Sequence, residues 1–399
     1  MKYLHIMPPS QRMMKGYLIM LRKYFNWEEH TILFSSPASG SDKGMLLFEN
    51  TIDFPQLGKG KIKKYLSFNK LFSQAEHIVF HQFIPNFSLL IFLFFHKKYL
   101  QKSIWVIWGI DLYNYKYESK HIKGRILNYI GKACRQYLGI PVVLLPTDIE
   151  VYEKEFGKRP VLCAPYGTAD DIWKHLDELS QKDLQSEVPP IVNEKKESDS
   201  IIHNEYEEKP PLRILIGHNS HTFNRHAYIL NQIERFSMEN VEIHLPLSYG
   251  NGGTDHINDY PRMVEEYAKI LFPNKVKVLK KLISKWDYDV FLSTIDIAIL
   301  GAPRQNALGN IIRLLYMGKK VYLAPDNPLF YFLKEKGFTI YNIEDLKDIS
   351  YEDFSLLPEQ SEPNPWLKKY FGADSAARLW KQVFDYAEGK ITFEEVNIP

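Results

Sequence analysis

The stretch GAPRQNALGNIIRLL, residues 301–315, sets an arginine, two amides and a glycine between an apolar run and an amphipathic segment. Residues 295–300 read as a buried strand, the GAP turn redirects the chain, and a helix is expected over 307–317. Arg304, Gln305 and Asn306 would then stand at a strand's carboxyl end. Gly309, in the first turns of the helix, would let a ligand or another helix come close. A guanidinium can hold a diphosphate through two parallel hydrogen bonds while keeping its charge. An interdomain salt bridge is the plainer use of the same arginine.

A second polar loop, GHNSHTFNRH over 217–226, also follows an apolar run and precedes a helix expected near 224. Gly217 permits close backbone approach, and loop N–H groups at a helix start favour an anion. Asn219, Ser220, His221 and His226 could donate hydrogen bonds. The alternative is an ordinary strand-to-helix loop capped by Asn224, since one glycine is no phosphate fingerprint. A third candidate is Asp111 in IWGIDLYNY, 107–115, just past another strand-like run. A carboxylate there could act as a general base if burial raises its pKa, or could accept from sugar hydroxyls or cap a helix. Trp108, Tyr113 and Tyr115 beside it suit stacking on a sugar ring. His5 and His81, in or near strand ends of the same half, are further candidates, although histidines there are more often structural.

The elements that must position these residues form two α/β series. Strand-like runs at 2–7, 31–36, 77–82, 103–109 and 141–146 alternate with helical stretches, most clearly 119–138. A second series restarts at 212–218 and continues at 241–247, 275–279, 295–301, 319–324 and 338–342. Continuous apolar strands separated by helices imply mostly parallel sheets covered on both faces. The expected fold is α/β, with two Rossmann-like domains facing across a cleft. The expected domains are 1–175, a charged, proline-containing linker or insertion at 176–211, and 212–372. A C-terminal helix within 373–399 is expected to pack back on the first domain.

A length of 399 residues fits two domains better than one core. Two cysteines exclude a disulfide framework and read as ordinary buried thiols. The N-terminus lacks a signal-peptide core, and the longest apolar run, 87–95, is about half of what spans a bilayer. Residues 1–170 carry 23 lysines and arginines against 13 acidic residues; the remainder carries 27 against 35. Lys59, Lys61, Lys63, Lys64, Lys97 and Lys98 fall in basic clusters interleaved with apolar residues. That pattern suits an anionic membrane leaflet or a phosphorylated lipid, with nucleic acid or a merely solvated face as the alternatives. The only D-x-D, Asp287 and Asp289, lies in a helix-like stretch, so no metal-held diphosphate is expected.

The stretches FHQFIPN, WVIWGIDLY, GHNSHTFNRH, LPLSYG, IDIAILGAPRQNALG and DNPLF occur in this order over 80–330. Together they resemble the bacterial family of TDP-N-acetylfucosamine:lipid II N-acetylfucosaminyltransferases, the 4-alpha-L-fucosyltransferases. The glycine-rich stretch 249–260 departs from that pattern. The resemblance implies a metal-independent GT-B hexosyltransferase without a cofactor. It implies a dTDP-linked 4-acetamido-4,6-dideoxyhexose donor and a polyprenyl-diphosphate-linked saccharide acceptor. Donor binding would fall to Gly217, Asn219, Ser220, Asn224, His226, Tyr249, Arg304, Gln305, Asn306, Gly309 and Asn327. Asp111, His5 or His81 would take the acceptor's proton. The place of work would be the cytoplasmic face of the bacterial inner membrane, held peripherally by the lysine clusters, with no nucleic acid as partner. A two-lobed nucleotide-sugar-binding protein and a nucleotide-sugar epimerase are the alternative functions.

Overall fold

Thirteen short apolar runs pair into two parallel sheets in the computed structural model, which describes residues 1–83, 86–113, 122–181, 210–250, 259–359 and 364–398. The first sheet contains β1 (Tyr3–Met7), β2 (His30–Phe34), β3 (Thr51–Ile52), β4 (His77–His81), β5 (Ser103–Ile107), β6 (Ile140–Val143) and β7 (Leu162–Cys163) in the order β3-β2-β1-β4-β5-β6-β7. The second contains β8 (Leu212–Ile216), β9 (Val241–Pro246), β10 (Val276–Leu279), β11 (Ile297–Leu300), β12 (Lys320–Leu323) and β13 (Ile340–Asn342) in the order β10-β9-β8-β11-β12-β13. Both orders reverse once, at β1/β4 and at β8/β11. The crevice outside the carboxyl ends of strands at such a reversal is where open α/β sheets take ligands.

Pleat and burial explain the layers of the first sheet. Side chains alternate between faces, so Leu4 and Ile6 join one apolar cluster while Tyr3 and Met7 join the other. The first cluster is roofed by the helices Lys61–Gln74, Phe87–Phe95 and Ile122–Arg135; the second by Gln11–Tyr24 and Ala373–Ala387. In the last of these helices Trp380 is fully buried, stacks on Tyr166 and donates its indole N–H to the Pro165 carbonyl at 3.1 Å. The chain thus divides into one compact unit of Met1–Asp170 with Lys368–Pro399 and another of Asp171–Leu367. Both cysteines are buried, and burial pushes the Cys134 thiol up to about 11 and Cys163 to about 12.

Several boundaries differ from the sequence reading. The helix Asp170–Gln181 takes in residues 176–181, which composition assigns to the linker. It belongs to the second unit, where Trp173 contacts Tyr316 and the His175 ring stacks on Trp286 at 3.5 Å. Its apolar stripe (Trp173, Leu176, Leu179) is diluted by charged neighbours and therefore looks like linker. The rest of the linker (182–209), Tyr115 and residues 251–258 of the glycine-rich stretch lie outside the described residues. The D-x-D does fall on a helix, Lys285–Ser293, capped by the Ser284 hydroxyl on the Asp287 N–H at 3.1 Å. Asp289 there is fully buried and ion-paired with Arg313 at 2.6 Å, so its charge is committed to the fold.

Candidate functional site

The two polar loops expected to hold an anion meet at the reversal point of the second sheet. One leaves β8 at Gly217; the other leaves β11 at Gly301. The Gly217 N–H donates to the Ile299 carbonyl at 3.0 Å, which ties the two exits together. Gly217 sits at φ +68°, and a Cβ there would come within 2.5 Å of His226 Nε2. A Cβ on Gly301 would come within 2.7 Å of the Asn224 carbonyl oxygen. Both glycines are required by the closeness of the loops.

Within the first loop the amides act as braces. Asn224 is fully buried; its Nδ2 donates to the Asn219 carbonyl, to Asn219 Oδ1 at 2.7 Å and to the His221 carbonyl. Asn219 Oδ1 also accepts from the His221 N–H at 3.0 Å. The Ser220 hydroxyl and N–H both donate to the Tyr249 carbonyl, each at 2.7 Å. Asn224 thus organises the loop from its centre, whereas the sequence reading has it as a helix cap; Arg225, at φ +54°, precedes the helix His226–Ile233 instead. The side chains of Asn219, Ser220 and Asn224 therefore set the shape of the loop by bonding within it and, for Ser220, to the Tyr249 carbonyl.

The second loop is held the same way. Asn327 is 2% exposed; its Nδ2 donates to the Ala302 carbonyl at 3.0 Å and the Arg304 carbonyl at 2.9 Å, and its Oδ1 accepts from the Leu329 N–H. It braces the backbone around Arg304. Gln305 and Asn306 are half-buried, and Asn306 Oδ1 accepts from the N–H of Ala307, a non-glycine at φ +56°. The helix begins at Leu308 and carries Gly309 in its first turn, where the Gly309 carbonyl accepts from Arg313.

The loops converge on Arg304. Its guanidinium lies 4.4 Å from the centre of the Phe223 ring, a cation–π contact that orients the planar fork. Burial and the Arg304 charge together hold the His221 imidazole below its usual pKa. Burial pushes His226 down to about 3, and its Nδ1 pairs with the Tyr260 hydroxyl at 3.0 Å. His221 Nδ1, His226 Nε2 and Asn306 Nδ2 are buried without a hydrogen-bond partner. Buried polar atoms left open beside a cation are what a site for a polar anionic ligand leaves for that ligand to satisfy. Phe223 and Asp326, which ion-pairs with Arg225 at 2.7 Å, were not legible in the sequence, because both contacts join distant segments.

At the reversal point of the first sheet the expected proton acceptors have other work. Asp111 is fully buried: Oδ1 accepts from the Phe83 N–H and Oδ2 from the Trp108 N–H, both at 2.8 Å. Burial raises its pKa to about 6 against the pull of those bonds. The carboxylate ties the end of β5 to the turn after β4. Asp111→Asn is therefore expected to set an amide N–H₂ against a backbone N–H and cost about 1–3 kcal/mol of stability. The thermal midpoint should fall while turnover per folded molecule stays near that of the parent. An unchanged midpoint with turnover lowered by orders of magnitude would restore the base.

His5 is fully buried in β1, with Nδ1 3.1 Å from His81 Nε2 and Nε2 2.9 Å from His30 Nδ1. His81 Nδ1 lies 2.6 Å from the Tyr166 hydroxyl, which accepts from the Trp108 indole N–H at 3.0 Å. Burial keeps His81 near 3, His30 near 4 and His5 well below its usual value, so all three are neutral near pH 7. Each neutral ring has one donor and one acceptor, and a chain of three uses both nitrogens of His5 and His81. His5 is thus a core residue with both ring nitrogens engaged by other histidines. His81 is one of the residues lining a small pocket at the sheet's carboxyl edge, with Ile6, Pro8, Ser35, Phe80, Gln82 and Leu89. Gln82 sits there at φ +71°, a strained conformation of the kind that collects at ligand sites.

The lysines expected at a membrane are surface residues of the first unit. Lys59 precedes the helix Lys61–Gln74, which carries Lys61, Lys63 and Lys64; Lys97 and Lys98 open the helix Lys97–Gln101. Among the described residues no helix is long and apolar enough to cross a membrane, and no group of three His, Cys, Asp or Glu could hold a metal ion.

Residues 166–352 match the family described as 4-alpha-L-fucosyltransferase glycosyl transferase group 56. Among solved structures, a glycosyltransferase from Rickettsia africae superposes with a TM-score of 0.61 at 13% identity, covering 98% of this chain and 99% of that one. Anabaena HepE, solved in complex with UDP and glucose, gives 0.65 at 12% identity, covering 96% and 99%. Sucrose-phosphate synthase from Thermosynechococcus elongatus gives 0.61 at 11%, covering 98% and 100%. At these identities the likeness is one of fold, and the shared fold is GT-B, two parallel-sheet α/β domains.

Proposed function

We propose that this GT-B glycosyltransferase, whose residues 166–352 match the 4-alpha-L-fucosyltransferase group 56 family, moves a 4-acetamido-4,6-dideoxyhexose from a dTDP-sugar to a polyprenyl-diphosphate-linked saccharide at a bacterial membrane surface. The observation that carries the reading is the convergence of both motif loops on Arg304 at the reversal point of the second sheet. When the glycosidic bond breaks, negative charge grows on the departing diphosphate. A fixed guanidinium with buried N–H donors beside it stabilises that charge without first having to reorganise. His221 and Asn306 supply open polar atoms in the two loops, and Phe223 keeps the guanidinium plane in place. That HepE, which shares this fold, was solved with UDP supports a nucleotide as ligand. The dTDP and the 4-acetamido sugar rest on the family resemblance. The acceptor is assigned to the first unit, where the pocket beside His81 and the basic surface are found.

The test is to incubate the protein with a panel of nucleotide sugars and a polyprenyl-diphosphate-linked saccharide, then weigh the products. The acceptor is expected to gain one 4-acetamido-4,6-dideoxyhexose residue from the dTDP donor, with dTDP released in equal amount. Conversion of the donor alone into an isomeric sugar nucleotide would make the protein an epimerase. Binding of donor with neither transfer nor slow hydrolysis would make it a binding protein.

A further inference from the structure

Three neighbouring helices on one face of the first sheet combine two features that a solvated surface rarely joins. The helices Lys61–Gln74, Phe87–Phe95 and Ile122–Arg135 contain no aspartate or glutamate, and neither does Lys97–Gln101 between them. They also expose large apolar side chains: Ile62 is 78% exposed, Leu66 60%, Phe95 72%, Ile122 76%, Ile126 54% and Tyr129 72%.

Spacing shows that these are outward lines and not strays. Ile62 and Leu66 are four apart on one helix, and Ile122, Ile126 and Tyr129 follow spacings of four and three on another, so each set shares a face. The opposite faces are core, with Phe68 and Phe72 buried on the first and Ile130 and Cys134 on the other. Phe92 of the middle helix packs against Tyr65, Phe68 and Phe72, which seats it against the first helix. Lys97 donates to the Tyr137 hydroxyl just past the third helix at 2.9 Å, and Lys64 lies over the Phe54 ring, so the stems of these lysines cover apolar surface while their heads stay in water.

We propose that this acid-free helical layer docks the protein on an anionic phospholipid bilayer, its lysines at the headgroups and Ile62, Leu66, Phe95, Ile122, Ile126 and Tyr129 inserted among them. Amphipathic faces of this make-up, aliphatic and aromatic with flanking lysines, lie in the membrane interface. A nucleic acid would use the lysines and leave the aliphatic residues in water, because isoleucine and leucine have no partner on a phosphodiester backbone. A second copy of the same layer would be repelled by its like charge. The inference deepens the reading of a lipid-linked acceptor and rests on it for its purpose, but its test needs no acceptor.

The experiment is co-sedimentation of the full chain with acceptor-free vesicles of phosphatidylcholine carrying increasing phosphatidylglycerol. Binding is expected to rise with anionic lipid and to weaken in salt. It should fall roughly a hundredfold in Lys61→Glu/Lys63→Glu/Lys64→Glu, and roughly tenfold or more in Ile62→Ser/Leu66→Ser/Ile126→Ser. Calorimetric binding of a nucleoside diphosphate should be the same in parent and variants, which shows that the variants fold. Absence of binding to every vesicle, undiminished binding by the serine variant, or tighter binding to duplex DNA than to anionic vesicles at equal salt would each overturn the proposal. Vesicle binding without sugar transfer would leave the docking surface standing and fault the proposed reaction instead.

Discussion

Arg304→Ala is expected to lower turnover by roughly two to three orders of magnitude, the scale of losing one donor that is aimed at developing negative charge. The fold should survive, because backbone and amide bonds brace both loops. Asn327 holds the Arg304 backbone carbonyl, Gly217 is bonded to Ile299, and Asn224 knits the facing loop. Arg304→Lys keeps the charge but loses the planar fork and its fit to Phe223, so it should fall between alanine and the parent. Steady-state rates with the released nucleoside diphosphate as readout, beside a thermal midpoint for each variant, check this. Near-normal turnover in the alanine variant would remove Arg304 from the site.

The second large effect is on stability in mild acid. The folded-state pKa values of His30, His81 and His226 are depressed from 6.5 to about 4, 3 and 3, and that of His5 well below 6.5, chiefly by burial. An unfolded chain takes protons on these rings below about pH 6.5 while the folded protein does not. Their contribution is therefore present in full above pH 6.5 and is withdrawn as the pH falls toward about 4. Two carboxyls act the other way, since burial raises Asp148 to about 7 and Asp111 to about 6, so the folded state holds their protons more tightly. The lowered histidines, with His77 and His221 shifted the same way, outnumber the two raised carboxyls, so unfolding takes up protons on balance and stability falls as the pH drops from 7 toward 5. Urea unfolding at a series of pH values should show this slope, and a flat profile between pH 7 and pH 5 would contradict it.

The histidine chain also marks the limit of what the residues alone reveal. Continuous apolar runs gave away the parallel sheets, because a strand buried on both faces leaves no alternation to misread. The positions of Gly217 and Arg304 after such runs placed them at carboxyl edges, and the reversal of strand order brought those edges side by side. Direction was hidden. His5 and Asp111 look like cleft residues in a list, yet His5 lies mid-strand with its ring turned into the core, and Asp111 is pulled under by two backbone N–H groups. The strands β3 and β7, two residues each, are too short to show any period. Phe87–Phe95 is apolar all round, so its sequence shows no face, and it is too short to span a bilayer. Its cap, Asn86 accepting from the Leu89 N–H at 3.1 Å, and its burial among Phe72, Phe68 and Tyr99 make it core.

The most direct measurement is hydrogen–deuterium exchange of the protein with and without dTDP, with UDP as a second arm. Protection is predicted in the loops at 217–226 and 301–309, with little change at the edge of the first sheet, and it should vanish in Arg304→Ala. Binding of dTDP with protection elsewhere and none in these two loops would contradict a nucleotide site at the reversal point of the second sheet.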